Sequence, residues 1–188
     1  VNFISTKAYC NQKVALFGDS LMSGYGLDKE FHLSTVLEKN LKNQGLDAKI
    51  INASVSGDTT AGGLNRLNWL IENTEIDVVI LCLGANDMLR GTNPDLIKQN
   101  LNKILELLSK RDIKILLAGM LSQGTYGEKY KKSFDEIYPE LAKKHKVAFV
   151  PFLLKGVALN PSYNLDDGKH PNEEGVKLIS KNLEKKLI

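Results

Sequence analysis

What this 188-residue chain lacks narrows its chemistry before any motif is read. It has two cysteines, Cys10 and Cys82. One is expected before the first strand and the other near the end of the third. In parallel neighbouring strands that separation is about 17–20 Å, which no disulfide crosses. Two thiols are also too few for a structural metal site. Charge of one sign is scarce: 25 Lys and Arg against 22 Asp and Glu leave a net +3. The lysines are scattered rather than gathered into a stripe, so a nucleic-acid surface is not expected. No run reaches the roughly 18 apolar residues that span a bilayer. There is no Gly-rich loop ending in Lys-Ser/Thr, no Gly-x-Gly-x-x-Gly after a strand and no Gly-x-Ser-x-Gly. Phosphate-loop, dinucleotide and α/β-hydrolase readings therefore lose their signatures.

What is present is ordinary for one globular domain: 43% hydrophobic and 25% charged residues, with no internal repeat or low-complexity tract. Short apolar runs alternate with amphipathic segments. Val14–Phe17, 49–55, Val78–Leu83, 113–118 and 147–152 read as strands. Val78–Leu83 is unbroken, as expected of a strand covered on both faces. Between the strands, apolar residues recur at helical spacing: Leu33, Val36, Leu37 and Leu41; Leu64, Leu67 and Ile71; Ile97, Leu101, Ile104, Leu105 and Leu108; Tyr130, Phe134, Ile137, Tyr138 and Leu141; Val176, Ile179, Leu183 and Leu187. Asn93-Pro94-Asp95 is a helix start. The pattern predicts a single-domain, three-layer α/β/α fold of flavodoxin-like type, with a five-stranded parallel sheet in the order 2-1-3-4-5. Residues 13–188 form that domain, and residues 1–12 are a separate N-terminal extension. Its first residues read as the tail of an export signal cleaved near Ala8.

In that strand order the turns at Gly18-Asp19-Ser20, Ser56-Gly57-Asp58 and Gly84-Ala85-Asn86-Asp87 emerge side by side at the carboxyl edge. Ser20 is the candidate nucleophile. Taken alone, Gly18 and Ser20 form no more than a turn and a helix cap. A serine nucleophile needs a base, and there are three histidines. His145 sits among lysines at a helix end, where cations suit the dipole. His32 suits a surface or capping role. His170 lies on a loop before a helix, in Asp166-Asp167-Gly168-Lys169-His170-Pro171-Asn172. Asp167, three residues before it across a glycine, can fold back onto Nδ1 and hold the imidazole as a triad requires. Asp166 is the rival orienter at a less usual spacing. The backbone N–H groups of Ser20 and Gly57 and the amide of Asn86 are candidate donors to an oxyanion.

Gly18-Asp19-Ser20-Leu21, Gly57, Gly84-x-Asn86-Asp87 and Asp167-x-x-His170 together resemble the four blocks of the GDSL, or SGNH, hydrolase superfamily. Asn52–Thr60, Leu89-Arg90-Gly91 and Asp166–Asn172 resemble the bacterial thioesterase I, arylesterase and lysophospholipase group. The resemblance implies catalytic roles for Ser20, Gly57, Asn86 and His170, with Asp167 as orienter, no metal or other cofactor, and often a periplasmic or secreted location. Relatives often carry a proline in the loop after the fourth strand. Here Leu121–Gly127 has none, so no acyl-length preference carries over.

The expected function is hydrolysis of carboxylic esters and thioesters with short-to-medium acyl chains by a monomer acting through an acyl-enzyme. The partners are small-molecule esters, with neither nucleic acid nor stable membrane insertion. A lysophospholipase or carbohydrate acetylesterase would use the same site; a non-catalytic flavodoxin-like binding module would not need the full constellation. Leu121 and Tyr126, with Leu153 and Leu154 of the long 153–169 connection, are expected to form an apolar wall beside Ser20. Their alternative role is to seal the core.

Overall fold

A computed structural model describes residues 12–187. Cys10 and the export-signal reading lie outside the described residues. Five strands, β1 (Gln12–Gly18), β2 (Ala48–Asn52), β3 (Val78–Cys82), β4 (Lys114–Ala118) and β5 (Ala148–Val150), form one sheet in the order β2-β1-β3-β4-β5. Every pairing is parallel. The expected topology is therefore the observed one. The continuous apolar runs explain it: Val14–Phe17 and all of β3 are fully buried, and a strand needs cover on both faces to hide such a run.

The cover comes from two rows of helices. Helix α2 (Leu33–Asn43) packs on α7 (Glu173–Leu187), while α3 (Thr60–Asn73), α5 (Pro94–Ser109) and α6 (Gly127–His145) pack in sequence. Two shorter helices, α1 (Ser20–Ser23) and α4 (Ala85–Leu89), follow β1 and β3 directly. Asn93 caps α5 by accepting from Asp95 N–H at 2.9 Å, with Pro94 pre-set in the first turn. The α2–α7 contact hides a carboxylate. Glu184 accepts from Asn40 (2.8 Å), Gln44 (2.9 Å) and Ser180 (2.7 Å), so the buried charge keeps its hydrogen bonds.

Two strands, β2 and β5, stop two or more residues before the ends of their apolar runs. β2 ends at Asn52 because that side chain turns back to accept Ser54 N–H at 3.2 Å. Ala53 N–H and Val55 N–H still reach Leu16 O and Gly18 O, so the loop follows β1 without laddering. β5 is an edge strand followed by Pro151, which has no N–H to extend the pairing.

The long 153–169 connection is tied at both ends. Leu153 N–H donates to Gly119 O. Buried Asn164 donates to Val157 O and Asn160 O, both at 2.7 Å, and Asn172 donates to Ser162 O. Leu153 and Leu154 are 0% and 7% exposed and belong to the core. The expectation that they wall a groove is corrected: a connection crossing the sheet edge must bury apolar anchors, and these two residues are its anchors.

Tyr138 of α6 donates to Leu83 O at 2.9 Å, where β3 ends. A Cβ on Gly84 would sit 2.3 Å from that hydroxyl, and Gly84 has φ +117°. One helix thus sets the turn that carries Asn86. Tyr138→Phe leaves a buried carbonyl without its partner and is expected to cost about 1–2 kcal/mol. Urea unfolding measures it.

Candidate active site

Ser20 is the first residue of α1, delivered by a strand that is buried from Val14 to Gly18. Its approach is tight. A Cβ at Gly18 would lie 2.6 Å from Cys82 O and 2.8 Å from Met22 Sδ, so only glycine lets β1 end there. Asp19 caps the turn by accepting Leu21 N–H at 3.0 Å.

From the other end of the chain, His170 Nε2 lies 2.8 Å from Ser20 Oγ and Nδ1 lies 2.5 Å from Asp167 Oδ2. Asp167 Oδ1 also accepts the backbone N–H groups of His170 (3.0 Å) and Lys169 (2.8 Å). These donors hold its carboxyl well below the usual carboxylate range: the His170 N–H most, then the imidazole, then the Lys169 N–H. A charged Asp167 accepts from Nδ1–H, which leaves Nε2 to accept from the serine hydroxyl. The rival Asp166 makes no such contact and lines a separate surface hollow with Leu159 and Leu165. The other two histidines are engaged elsewhere, His32 with Leu27 O (3.0 Å) and His145 with Asn102 Oδ1 (2.8 Å).

The turns after β2 and β3 close around Ser20. Gly57 has φ +82°, which a side chain rarely adopts, and open space where a Cβ would be. Asn86 Nδ2 donates to Asp58 O at 2.9 Å and to Asp19 Oδ2 at 3.3 Å. It therefore bridges the residue before Ser20 and the residue after Gly57. Neither Ser20 N–H nor Gly57 N–H has a hydrogen-bond partner among the described residues. Ser56 and Ser23 share a hydroxyl hydrogen bond of 2.9 Å that ties the two turns together.

Several supports carried no sequence signal. Arg66, on the helix that carries Leu64, Leu67 and Ile71, donates to Asp58 Oδ2 (2.7 Å), Ala53 O (2.6 Å) and Gly18 O (3.2 Å), with its guanidinium 4.0 Å over the Phe17 ring. Buried Asp87 accepts Thr60 N–H (2.8 Å) and Oγ1–H (2.7 Å), holding α3 to the β3 turn. The Tyr25 ring lies against His170. Of the expected apolar wall, Leu121 and Tyr126 are half-exposed, and Tyr126 donates to Leu89 O at 2.9 Å. Leu89 and Val55, which were not part of the expected wall, are exposed on the neighbouring turns.

A family model described as GDSL-like lipase/acylhydrolase matches residues 16–178. An arylesterase of Vibrio mimicus is 35% identical over 98% of this chain and 92% of its own. A thioesterase 1/protease 1/lysophospholipase L1 of Escherichia coli strain K12 is 33% identical over 98% of this chain and 87% of its own. The crystal structure of AlinE4, an SGNH-hydrolase family esterase, superposes with a TM-score of 0.81 at 43% identity, covering 93% of each chain.

Asp19 is 1% exposed, and burial pushes its carboxyl up to about 6, with partial relief from Leu21 N–H and the His170 imidazole. The folded state therefore binds this proton more tightly than the unfolded chain. Stability from Asp19 falls as pH rises from about 4 to about 6, by about 3 kcal/mol in all. The stability of Asp19→Asn relative to the parent is expected to improve by most of that amount, about 2.5 kcal/mol, between pH 4 and pH 7. Urea unfolding of both proteins across that range checks it.

Proposed function

This chain belongs to the GDSL-like lipase/acylhydrolase family, and from that premise we propose that it hydrolyses carboxylic esters and thioesters through Ser20, His170 and Asp167. The observation that carries the assignment is the unbroken relay from Ser20 Oγ through both nitrogens of His170 to Asp167. His170 Nε2 takes the hydroxyl proton as Ser20 Oγ attacks the acyl carbon. Asp167 holds the ring and offsets the imidazolium charge. The tetrahedral oxyanion is met by Ser20 N–H, Gly57 N–H and Asn86 Nδ2. The longer of the two Asn86 bonds, to Asp19, is the one that gives way to it. His170 then returns the proton to the leaving alkoxide or thiolate. Water repeats the sequence to release the acid and free Ser20.

For substrate, the proposed acyl surface lies between the turns after β3 and β4, where Leu89, Leu121 and Tyr126 are exposed. It suits short-to-medium chains. The lysophospholipase in the name of the Escherichia coli relative supports a single-chain lipid as a second substrate class. We further propose that the protein acts as a monomer, in the periplasm or secreted. No helix among the described residues is long and apolar enough to cross a membrane.

Two kinetic results are expected. Ser20→Ala and His170→Ala each abolish nearly all esterase activity with the fold intact, and the double variant is no slower than either, because the pair acts as a unit. Asn86→Ala lowers kcat by about 10²–10³ with KM little changed. Steady-state rates with an aryl ester, beside thermal unfolding, decide both. A double variant far slower than each single one, or an Asn86→Ala protein that loses Tm but keeps kcat, contradicts these roles.

A rate panel tests the acyl surface. Each methylene buried contributes about 0.8 kcal/mol, so kcat/KM is expected to rise up to about fourfold per carbon from acetyl until the surface is full. Leu121→Ser flattens that rise. Acetyl esters or acetylated sugars as the best substrates would remove the acyl surface from the proposal.

A further inference from the structure

The ring of Tyr25 lies on the face of the His170 imidazole, with centroids 4.3 Å apart and planes tilted by 34°. Tyr25 is 51% exposed, so burial is not what keeps it there. Its backbone is. Tyr25 stands between Gly24 at φ +90° and Gly26 at φ +72°, both in the left-handed region. Neither glycine has room for a side chain. A Cβ on Gly24 would fall 2.2 Å from the His32 ring, and one on Gly26 would fall 2.8 Å from Leu165 Cδ1. Leu165 N–H in turn donates to His170 O at 2.8 Å. The turn therefore leaves the helix that begins with Ser20, is gripped by the start of α2, and packs on the loop that carries His170.

His170 makes one hydrogen bond at each ring nitrogen, whose N–H or lone pair points in the imidazole plane. These bonds set where the nitrogens sit but leave the ring free to rock about the line between them. A flat partner on the ring face removes that motion. Asp167, the carboxylate that offsets the imidazolium, has a side chain 38% exposed, so water screens part of its attraction. An aromatic face adds attraction for a cation that screening at the carboxylate does not remove.

We propose that Tyr25 is a positioning residue: its ring holds the His170 imidazole in line with Ser20 Oγ and stabilises the imidazolium formed when the serine proton moves. This rests on the reading of His170 as the general base. The ring face carries the role, and the hydroxyl does not.

The test compares Tyr25→Leu, Tyr25→Phe and His170→Ala with the parent, using a short aryl ester and an acyl thioester. Tyr25→Leu is expected to lower kcat about fivefold to twentyfold, with KM within about twofold and Tm unchanged. Tyr25→Phe, which keeps the ring, restores kcat to within about twofold of the parent. A rise in KM at constant kcat in Tyr25→Leu would make Tyr25 a substrate contact and overturn the proposal. So would a fall in rate that only tracks a loss of Tm, or a Phe variant as slow as the Leu variant. An inactive His170→Ala beside a Tyr25→Leu protein with full kcat overturns the positioning role alone. An active His170→Ala overturns the base assignment and this proposal with it.

Discussion

The placement of β1 between β2 and β3, hydrogen-bonded in parallel to both, is the constraint on which the rest of the molecule depends. Parallel neighbours lie about 4.8 Å apart and end on the same side. Turns that follow three adjacent strands therefore open within reach of one small substrate. The sequence meets that constraint with residues that bury completely in β1 and β3 and with a glycine where β1 comes against Cys82 O. Any side chain at Gly18 would push Ser20 away from the turn that bears Asn86.

The carboxylates of the site are handled by three different means. Asp19 forms no ion pair among the described residues, and burial holds it toward its protonated form against the weaker pull of Leu21 N–H and the His170 imidazole. Asp58 is paired with Arg66, which also fixes the carbonyls of Gly18 and Ala53. Asp87 is satisfied by the first turn of α3, through Thr60. Asn86 lies among all three and takes its orientation from the first two. An amide fixed in this way needs little reorganisation to meet a developing negative charge, which is where such donors gain their effect. Asp167 differs from the other three because it stands at the surface and is kept ionised by three N–H donors.

The sequence was most legible where chemistry is local. A strand closing on Gly-Asp-Ser, a Gly-x-Asn-Asp turn and Asp-x-x-His each announce themselves within a few residues. Alternation and right-handed crossovers leave few strand orders, and the expected one of these, 2-1-3-4-5, is the one found. Contacts between residues far apart in the chain were not legible. Arg66 and Gly18 are 48 positions apart, and an arginine at helical spacing gives no sign of which loop it bolts. Tyr25 meets His170 only because two glycines take a left-handed backbone. Leu153 and Leu154 looked like a groove because apolar residues on a long loop near an active site suit either a wall or an anchor, and only burial separates the two. Asn52 cut β2 short by a side-chain bond that competes with the ladder.

The central claim is that the hydroxyl held by His170 is the one that becomes acylated, and covalent trapping tests it most directly. The protein is treated with a fluorophosphonate, digested and mapped by mass spectrometry, beside Ser20→Ala. The expected result is a single adduct on the peptide carrying Ser20, and none in the variant. An adduct on Ser56 or Ser23 instead, or an unlabelled protein that still hydrolyses esters, would contradict it.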